Sequence, residues 1–395
     1  MSGQLMSGQL MDESLRRARI GVTLAFVVNG FTAGTFVARI PDIKSALGIS
    51  DGTLGLSLLF ISIGVFLALG PAGRNSARYG SAPITFFGTI GIAISLPLVG
   101  LLPSLQFTWF AFFLFGFMLA TQDVAMNAHA VVIEQGAGRR LMSTFHAMFS
   151  VGTFIGGIIG GVLSQFEVSL LSQAAIFAAL YLVLAFVIKS LLLPASIDQH
   201  PITKEKKAKS PIIFWVFGIF GLFAALSEGA AGDWGGVLAR DTFDATPFVS
   251  TLPFIFFTLA MVIGRFSGDY LAHRFGASKV IASGGSIAGI GLALGLLVGG
   301  IPMLMLAWFL LGIGLSVVIP LMFSAAGTLA STKYQGVIAP SQAIARVSGV
   351  SYFGFVIGPP LIGFLAELVE LRWALFLLVI LTVALIPAAR YAKAA

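Results

Sequence analysis

Cysteine is absent from this chain of 395 residues, and charged side chains are scarce. The lack of cysteine excludes disulfide bonds, thiolate metal sites and cysteine nucleophiles. Asp, Glu, Lys and Arg make up 10% of the residues, whereas soluble globular proteins carry about 25%. This deficit excludes a soluble enzyme, a nucleic-acid-binding domain and a disordered chain.

The sequence also lacks the motifs of the common catalytic sites. It has no GxxxxGK[ST] phosphate loop and no HExxH metal motif, so neither ATP-driven chemistry nor metal-dependent hydrolysis is predicted. Its four histidines are widely scattered. We therefore expect no catalytic residues, no metal site and no cofactor, and the protein is predicted not to be an enzyme.

What the chain has in abundance is apolar sequence. Hydrophobic residues make up 57% of the chain, and the mean hydropathy is +0.99. Apolar stretches of about 17–25 residues are the length that a helix needs to cross a bilayer, whereas barrel strands are shorter and alternate. Twelve such stretches are predicted, at 18–38, 53–72, 82–102, 107–131, 142–165, 170–193, 211–237, 247–268, 278–299, 302–326, 344–366 and 371–390. They predict an all-α polytopic membrane protein.

The basic residues predict the orientation of these twelve spans. Most of the 23 Lys and Arg fall on one side of the membrane when the spans alternate, and an excess of basic residues marks the cytoplasmic side. We expect a bacterial inner-membrane protein with both termini in the cytoplasm. The predicted parts are an N-terminal tail at 1–17, a six-helix bundle at 18–193, a linker at 194–210, a second six-helix bundle at 211–390 and a C-terminal tail at 391–395. The first tail begins with a duplicated MSGQL, which is typical of a cloning scar.

The two halves resemble each other at an offset of about 200 residues, as in transporters built from duplicated units. Span five has Gly152-xxx-Gly156-Gly157, and span eleven has Gly354-xxx-Gly358-Pro359. A short loop recurs as GRNSARYG after span two and DYLAHRFG after span eight. The predicted conformational residues of these loops are Gly73, Arg78 and Gly80 in the first copy and Asp269, Arg274 and Gly276 in the second.

Twelve spans, a basic central linker and a GxLxDRxG-type loop in each half resemble the major facilitator superfamily. The segments RIPDIK at 39–44, DVAMNA at 123–128 and EGAAGDW at 228–234 are similar to the YbjJ-like bacterial branch. The resemblance implies two six-helix bundles with inverted three-helix repeats, and transport by alternating access. In both loops the usual Asp is replaced, by Ala77 and by His273.

Ionisable residues inside spans are costly, so each is a candidate functional site. The predicted proton-coupling residues are Asp123, His146, Glu228 and Asp233. Asp123 also fits a structural acceptor near the cytoplasmic boundary, and His146 fits a hydrogen-bonded structural histidine. Asp233 also fits a solvated carboxylate at the outer end of its span.

Glu228 is the strongest of these candidates because it lies deep in span seven. No Lys or Arg lies within one helical turn, and Arg265 and Arg346 are expected toward the cytoplasmic ends of their spans. We therefore expect an unpaired carboxyl that is neutral when buried and ionised when wet, which would couple proton flow to alternating access. The alternative is a carboxyl held by hydrogen bonds between helices.

Polar and aromatic residues in the spans are candidates for contact with a solute. The predicted solute-binding residues are Asn29, Asn127, Glu228, Trp234 and Tyr352. Asn29 equally fits a hydrogen bond to a neighbouring helix. Trp234 equally fits an anchor at the membrane interface.

These features predict a secondary transporter for a small polar organic solute, sugar-like or another metabolite, coupled to protons as a symporter. The alternative is a proton-linked antiporter that exports drugs or amphipathic metabolites, which the 36 phenylalanines favour. A membrane sensor without transport is a weaker hypothesis, because the longest internal polar stretch is the linker at 194–210. The expected partners are the solute, protons and membrane lipids, not nucleic acid, and a monomer is expected.

Overall fold

The computed structural model describes residues 2–138, 141–199, 211–335, 337–338 and 340–394, and within these ranges all regular structure is helical. Hydrocarbon offers no hydrogen-bond partners, so an apolar chain that crosses it must satisfy its backbone internally, as a helix does. The helices are α1 Ser2–Leu47, α2 Asp51–Tyr79, α3 Ser81–Leu101, α4 Leu105–Ala137, α5 Met142–Gln165, α6 Leu170–Leu191, α7 Ile212–Phe243, α8 Leu252–Phe275, α9 Ala277–Val298, α10 Ile301–Leu315, α11 Val318–Ser331, α12 Pro340–Val369, α13 Leu371–Ala374 and α14 Phe376–Ala388.

These helices confirm the twelve predicted spans within the described part of the chain. Helices α1 to α9 are the first nine spans, α10 and α11 together form the tenth, α12 is the eleventh, and α13 with α14 forms the twelfth. Several helices extend beyond the predicted ends of their spans, and the largest difference is that α1 already begins at Ser2, inside the expected tail. Of the predicted linker, 200–210 lies outside the described residues.

The chain divides into two compact units. The first contains residues 1–47 and 60–204, and the second contains residues 48–59 and 205–395. In the first unit α1 packs along α5, and α3 packs against α4 and α6. In the second unit α7 packs along α12, and α10 packs against α8 and α9.

The second unit includes the beginning of α2. The carboxylate of Glu367, near the end of α12, accepts hydrogen bonds from the Ser50 hydroxyl and from the Gly52 backbone N–H, the latter at 3.0 Å. Both donors stand at the start of α2, where the first N–H groups of a helix have no partner within it. This contact explains why residues 48–59 group with the second unit.

Glycine permits the close helix pairs at the centre of each unit. A methyl group on Gly156 of α5 would lie 2.4 Å from the Phe31 carbonyl oxygen of α1, and one on Gly354 of α12 would lie 2.4 Å from the Leu222 carbonyl oxygen of α7. Such distances are too short for any side chain, so these glycines allow the two helices to approach each other closely. The same arrangement in both units supports the duplication predicted from the sequence.

The repeated loop has the same conformation in both copies. Gly80 (φ 89°) separates α2 from α3, and Gly276 (φ 84°) separates α8 from α9. Side chains other than glycine rarely adopt such φ values. Arg78 lies 5.1 Å from the ring centroid of Tyr79, and Arg274 lies 5.4 Å from that of Phe275. The predicted Gly73 has open space around it, and the side chain of Asp269 lies outside the described residues.

The segment at 39–44 forms a polar cluster at the end of α1. Arg39 is buried, and its Nε lies 2.5 Å from an Asp42 carboxylate oxygen. Its two other guanidinium nitrogens donate to the Gln173 side-chain carbonyl and the Val168 backbone carbonyl, both at 2.7 Å. The Ser164 hydroxyl donates to Asp42 at 2.7 Å. The cluster therefore ties α1 to the ends of α5 and α6.

Candidate functional site

The candidate site centres on an ion pair in the second unit. Nη2 of Arg265 on α8 donates to Oε1 of Glu228 on α7 at 3.2 Å. The side chains are 44% and 25% exposed, respectively. Charged groups within spans almost always face a bundle interior or a water-filled cavity. The exposed part of this pair is therefore expected to meet water.

The expectation that Glu228 lacks a basic partner is wrong. Glu228 lies sixteen residues into α7, or about 24 Å along it, and Arg265 lies thirteen residues into α8, or about 20 Å along it. The 3.2 Å contact shows that the two side-chain groups meet although the residues lie on different helices. Arg265 nevertheless lies three residues before the end of the apolar span Val249–Gly268, as expected, and its long side chain reaches Glu228 from there.

Aromatic side chains of α12 lie beside this pair. The Phe355 ring packs against Gly229, the residue after Glu228, so closely that a methyl group there would lie 2.9 Å from a ring carbon. The ring centroids of Phe355 and Tyr352 are 6.2 Å apart, and Tyr352 is exposed. Phe355 of α12 therefore packs against α7 at the residue next to Glu228, and the predicted Tyr352 lies beside Phe355.

Trp234 and Asp233 lie further along α7. Trp234 is completely buried, which removes it from the membrane interface and from direct contact with a solute in this conformation. Its indole N–H has no hydrogen-bond partner among the described residues. Asp233 is half-buried, and within the described part of the chain it makes no hydrogen bond or ion pair.

Asn29 belongs to a buried hydrogen-bond chain in the first unit. Its side-chain N–H groups donate to Gln122 Oε1 at 2.9 Å and to the Leu119 carbonyl at 3.1 Å. Gln122 in turn donates to the Thr89 hydroxyl at 2.7 Å. This geometry fits the alternative that Asn29 joins neighbouring helices. Gln122, which is fully buried, was missed because one amide on an apolar helix carries no distinctive pattern.

Asp123, Asn127 and His146 lie elsewhere in the first unit. The Asn127 side chain donates to the Asp123 carboxylate at 3.2 Å and to the Asp123 backbone carbonyl at 2.9 Å. This contact is within one turn of α4 and fits a structural acceptor. His146 is exposed, and its ring stands edge-on to Phe26 with centroids 5.3 Å apart.

A second histidine was missed by the sequence prediction. His129 is buried, and its Nε2 accepts the Leu193 backbone N–H at 3.1 Å. Its Nδ1 therefore carries the proton and donates to the Ser81 hydroxyl, 2.7 Å away. Asp198 accepts the Ser81 backbone N–H at 3.1 Å, so the chain after α6 is held on the start of α3. The role of His129 is structural.

A profile of the Major Facilitator Superfamily matches residues 22–231 and, as a second copy, residues 217–393. The chain belongs to the major facilitator superfamily. The two matches correspond to the two halves of the chain, so the family confirms the predicted fold class. The protein is therefore a multi-pass membrane protein of a transporter family, and its described residues contain twelve helices long and apolar enough to cross a membrane.

Relatives and solved structures extend this result. An uncharacterized MFS-type transporter of Yersinia pestis is 31% identical over 370 residues, covering 93% of this chain and 94% of the relative. An uncharacterized transporter of Sinorhizobium fredii is 30% identical, covering 90% and 93%. The crystal structure of the nucleoside transporter NupG has a TM-score of 0.75 at 15% identity, covering 96% of this chain and 98% of that one. The YbjJ-like branch stays a prediction.

Proposed function

We propose that this protein is a proton-coupled secondary transporter that imports a small polar organic solute by alternating access. The observation that carries the proposal is the Glu228–Arg265 pair near the middle of α7 and α8. One hydrogen bond of 3.2 Å joins the two side chains, and neither side chain is fully buried, so the pair can open. A charged pair at this depth therefore suits a switch better than a structural clamp.

The coupling step follows from the chemistry of the two groups. Arg265 stays protonated under all conditions, since the guanidinium does not lose its proton in proteins. Protonation of Glu228 removes the negative charge that holds Arg265. The freed guanidinium then offers its N–H donors to hydroxyl, carbonyl or carboxylate oxygens of a solute. Proton binding and solute binding thus favour each other.

The solute class follows from the same groups. Arg265 supplies donors, Glu228 an acceptor, and Tyr352 an exposed aromatic face. An oxygen-rich metabolite of modest size, sugar-like or nucleoside-like, offers groups that match all three. NupG, whose fold is similar, is described as a nucleoside transporter, which is compatible with a solute of this kind. Trp234 and Asn29 are left out of this site because both are buried.

Export of amphipathic compounds is the second candidate function. It is favoured by exposed aromatic side chains on α12, Tyr352 and Phe353. In that case Glu228 would be the counter-ion of a cationic compound, which would displace Arg265. The two functions differ in the direction in which the solute moves relative to an imposed proton gradient.

The experiment that tests the proposed function combines a ligand screen with flux measurements. Purified protein is screened by thermal shift against sugars, nucleosides, carboxylic acids and cationic amphiphiles. The solute that stabilises it is then followed in proteoliposomes with and without a pH gradient. We expect accumulation on the side toward which protons flow. Movement in the opposite direction would establish export, and equal flux without a gradient would contradict coupling.

The proposed topology places both termini and the basic linker in the cytoplasm of a bacterium, in the inner membrane, with the protein acting as a monomer. Because the chain contains no cysteine, Lys207→Cys introduces a single reactive thiol in the linker. We expect an impermeant maleimide to label it in inverted membrane vesicles and not in intact cells. Labelling in intact cells would reverse the topology.

A further inference from the structure

A cavity of about 320 Å³ lies between the start of α7 and the end of the chain, away from the Glu228–Arg265 pair. It is lined by Val216, Ile219, Phe220, Pro387, Arg390 and Tyr391. Its volume is at the lower end of the range of about 300–1,000 Å³ for small-molecule sites. Four of its six lining residues are apolar, and the set contains one guanidinium and no carboxylate.

Tyr391 positions Arg390 at this cavity. The guanidinium donates to the Tyr391 hydroxyl at 2.9 Å and lies 4.8 Å from the centroid of the tyrosine ring. The same ring lies parallel to Phe220, with centroids 6.3 Å apart. Among the described residues Arg390 makes no other side-chain hydrogen bond and no ion pair. A guanidinium has five N–H donors, and the Tyr391 hydroxyl accepts from one of them.

The apolar wall of the cavity continues onto exposed surface. Ile212 and Ile219 on α7 and Val383 and Ile386 on α14 are all exposed. In a membrane protein such side chains contact acyl chains. The cavity is therefore an apolar cleft open to lipid, with a cation at the end where both helices leave the membrane.

The sequence around these two helix ends adds to the positive charge. Lys204, Lys206, Lys207 and Lys209 precede α7 with only one acidic residue, Glu205, among them. Lys393 follows Arg390. Basic clusters next to a span, and basic pockets between spans on the cytoplasmic side, are typical sites for anionic lipid head groups. An acyl-lined cleft ending in a cation complements a lipid that carries negative charge.

We propose that this cavity binds an anionic phospholipid, with its phosphate at Arg390 and part of one acyl chain along Val216, Ile219 and Phe220. The site is separate from the solute site, so its occupancy does not depend on which solute is transported. It requires only that the protein lies in a bilayer with anionic lipids around the ends of α7 and α14.

The test is native mass spectrometry of the purified full-length protein in detergent, titrated with phosphatidylglycerol or with phosphatidylethanolamine of the same acyl chains. We expect the first phosphatidylglycerol molecule to bind at least about five-fold more tightly than the first phosphatidylethanolamine molecule. This factor corresponds to about 1 kcal/mol, the contribution of one basic residue to the binding of an anionic lipid. Arg390→Gln should remove this preference. Val216→Phe, which fills the cavity, should weaken the binding of both lipids.

Arg274→Gln is the matched control. Arg274 also donates to a tyrosine hydroxyl, that of Tyr270 at 2.8 Å, and also lies over an aromatic ring, but it does not line the cavity. We expect this variant to keep the preference for phosphatidylglycerol.

The proposal is overturned if the parent binds both lipids equally, if Arg390→Gln retains the preference, or if Arg274→Gln loses it to the same degree. If the parent protein is a dimer and the Val216→Phe variant is a monomer, a second copy of the chain occupies the cleft and the proposal is wrong. Loss of solute transport in any variant is measured separately, so failure of the lipid site and failure of the proposed function are distinguishable.

Discussion

Replacing Glu228 with glutamine is expected to abolish solute accumulation driven by a pH gradient while leaving solute exchange largely intact. Glutamine keeps the shape and still accepts a hydrogen bond from Arg265, but it cannot take up a proton. Exchange across the membrane at equal pH requires no net proton movement. We expect its rate to change by less than about five-fold, because glutamine keeps the hydrogen bond from Arg265 and one hydrogen bond contributes about 1 kcal/mol.

The measurement is accumulation and counterflow of the same solute in proteoliposomes. Glu13→Gln is the matched control, since Glu13 is an exposed carboxyl on α1, and it should accumulate solute like the parent. Asp123→Asn identifies the next candidate if the assignment fails. Accumulation by Glu228→Gln at the level of the parent would show that this carboxyl does not couple proton flow.

Replacing Arg39 with leucine is expected to cause a large loss of stability in the first unit. Arg39 is 5% exposed and contacts three acceptors, in Asp42, Gln173 and Val168. Leucine removes the guanidinium that pairs with the Asp42 carboxylate. It also removes the N–H groups that donate to Gln173 and Val168. Removing one partner of a buried ion pair costs about 3–5 kcal/mol. We expect an apparent Tm several degrees below that of the parent.

Thermal unfolding in detergent, followed by tryptophan fluorescence, checks this prediction. Arg39→Lys should give an intermediate Tm, since lysine retains the charge but lacks the planar fork of five N–H donors that reaches three separate acceptors. Arg16→Leu is the control, because Arg16 is an exposed arginine on the same helix. A surface substitution changes stability by about 0.5 kcal/mol or less. An Arg39→Leu protein that unfolds at the parent's temperature would contradict the structural role of the cluster.

The spans and the helix breaks were predictable from the sequence because they depend on local composition. An apolar stretch of sufficient length becomes a helix in hydrocarbon whatever its neighbours are. Gly80 and Gly276 end helices through their own backbone conformation. The repeat was visible for the same reason, since both copies retain the glycines that allow a turn or a close approach.

The contacts of the site were not predictable in the same way. Glu228 was identified because a carboxyl inside a span is unusual, but its partner depends on how α7 and α8 align in depth. Arg265 was expected near the end of span eight, and its position along the chain did not show that its side chain reaches Glu228. A pair of opposite charges in consecutive spans was the available signal. For Trp234, periodicity alone did not show that its side of α7 is buried inside the bundle.

The central claim is that solute and proton move together through Glu228, and the most direct measurement is of the proton itself. Proteoliposomes containing a trapped pH indicator, with equal pH on both sides, are given the solute identified by the screen on the outside only. The account predicts that solute entry acidifies the interior with the parent protein and not with Glu228→Gln, although the solute enters in both cases. Solute entry without acidification in the parent, or equal acidification with Glu228→Gln, would contradict it.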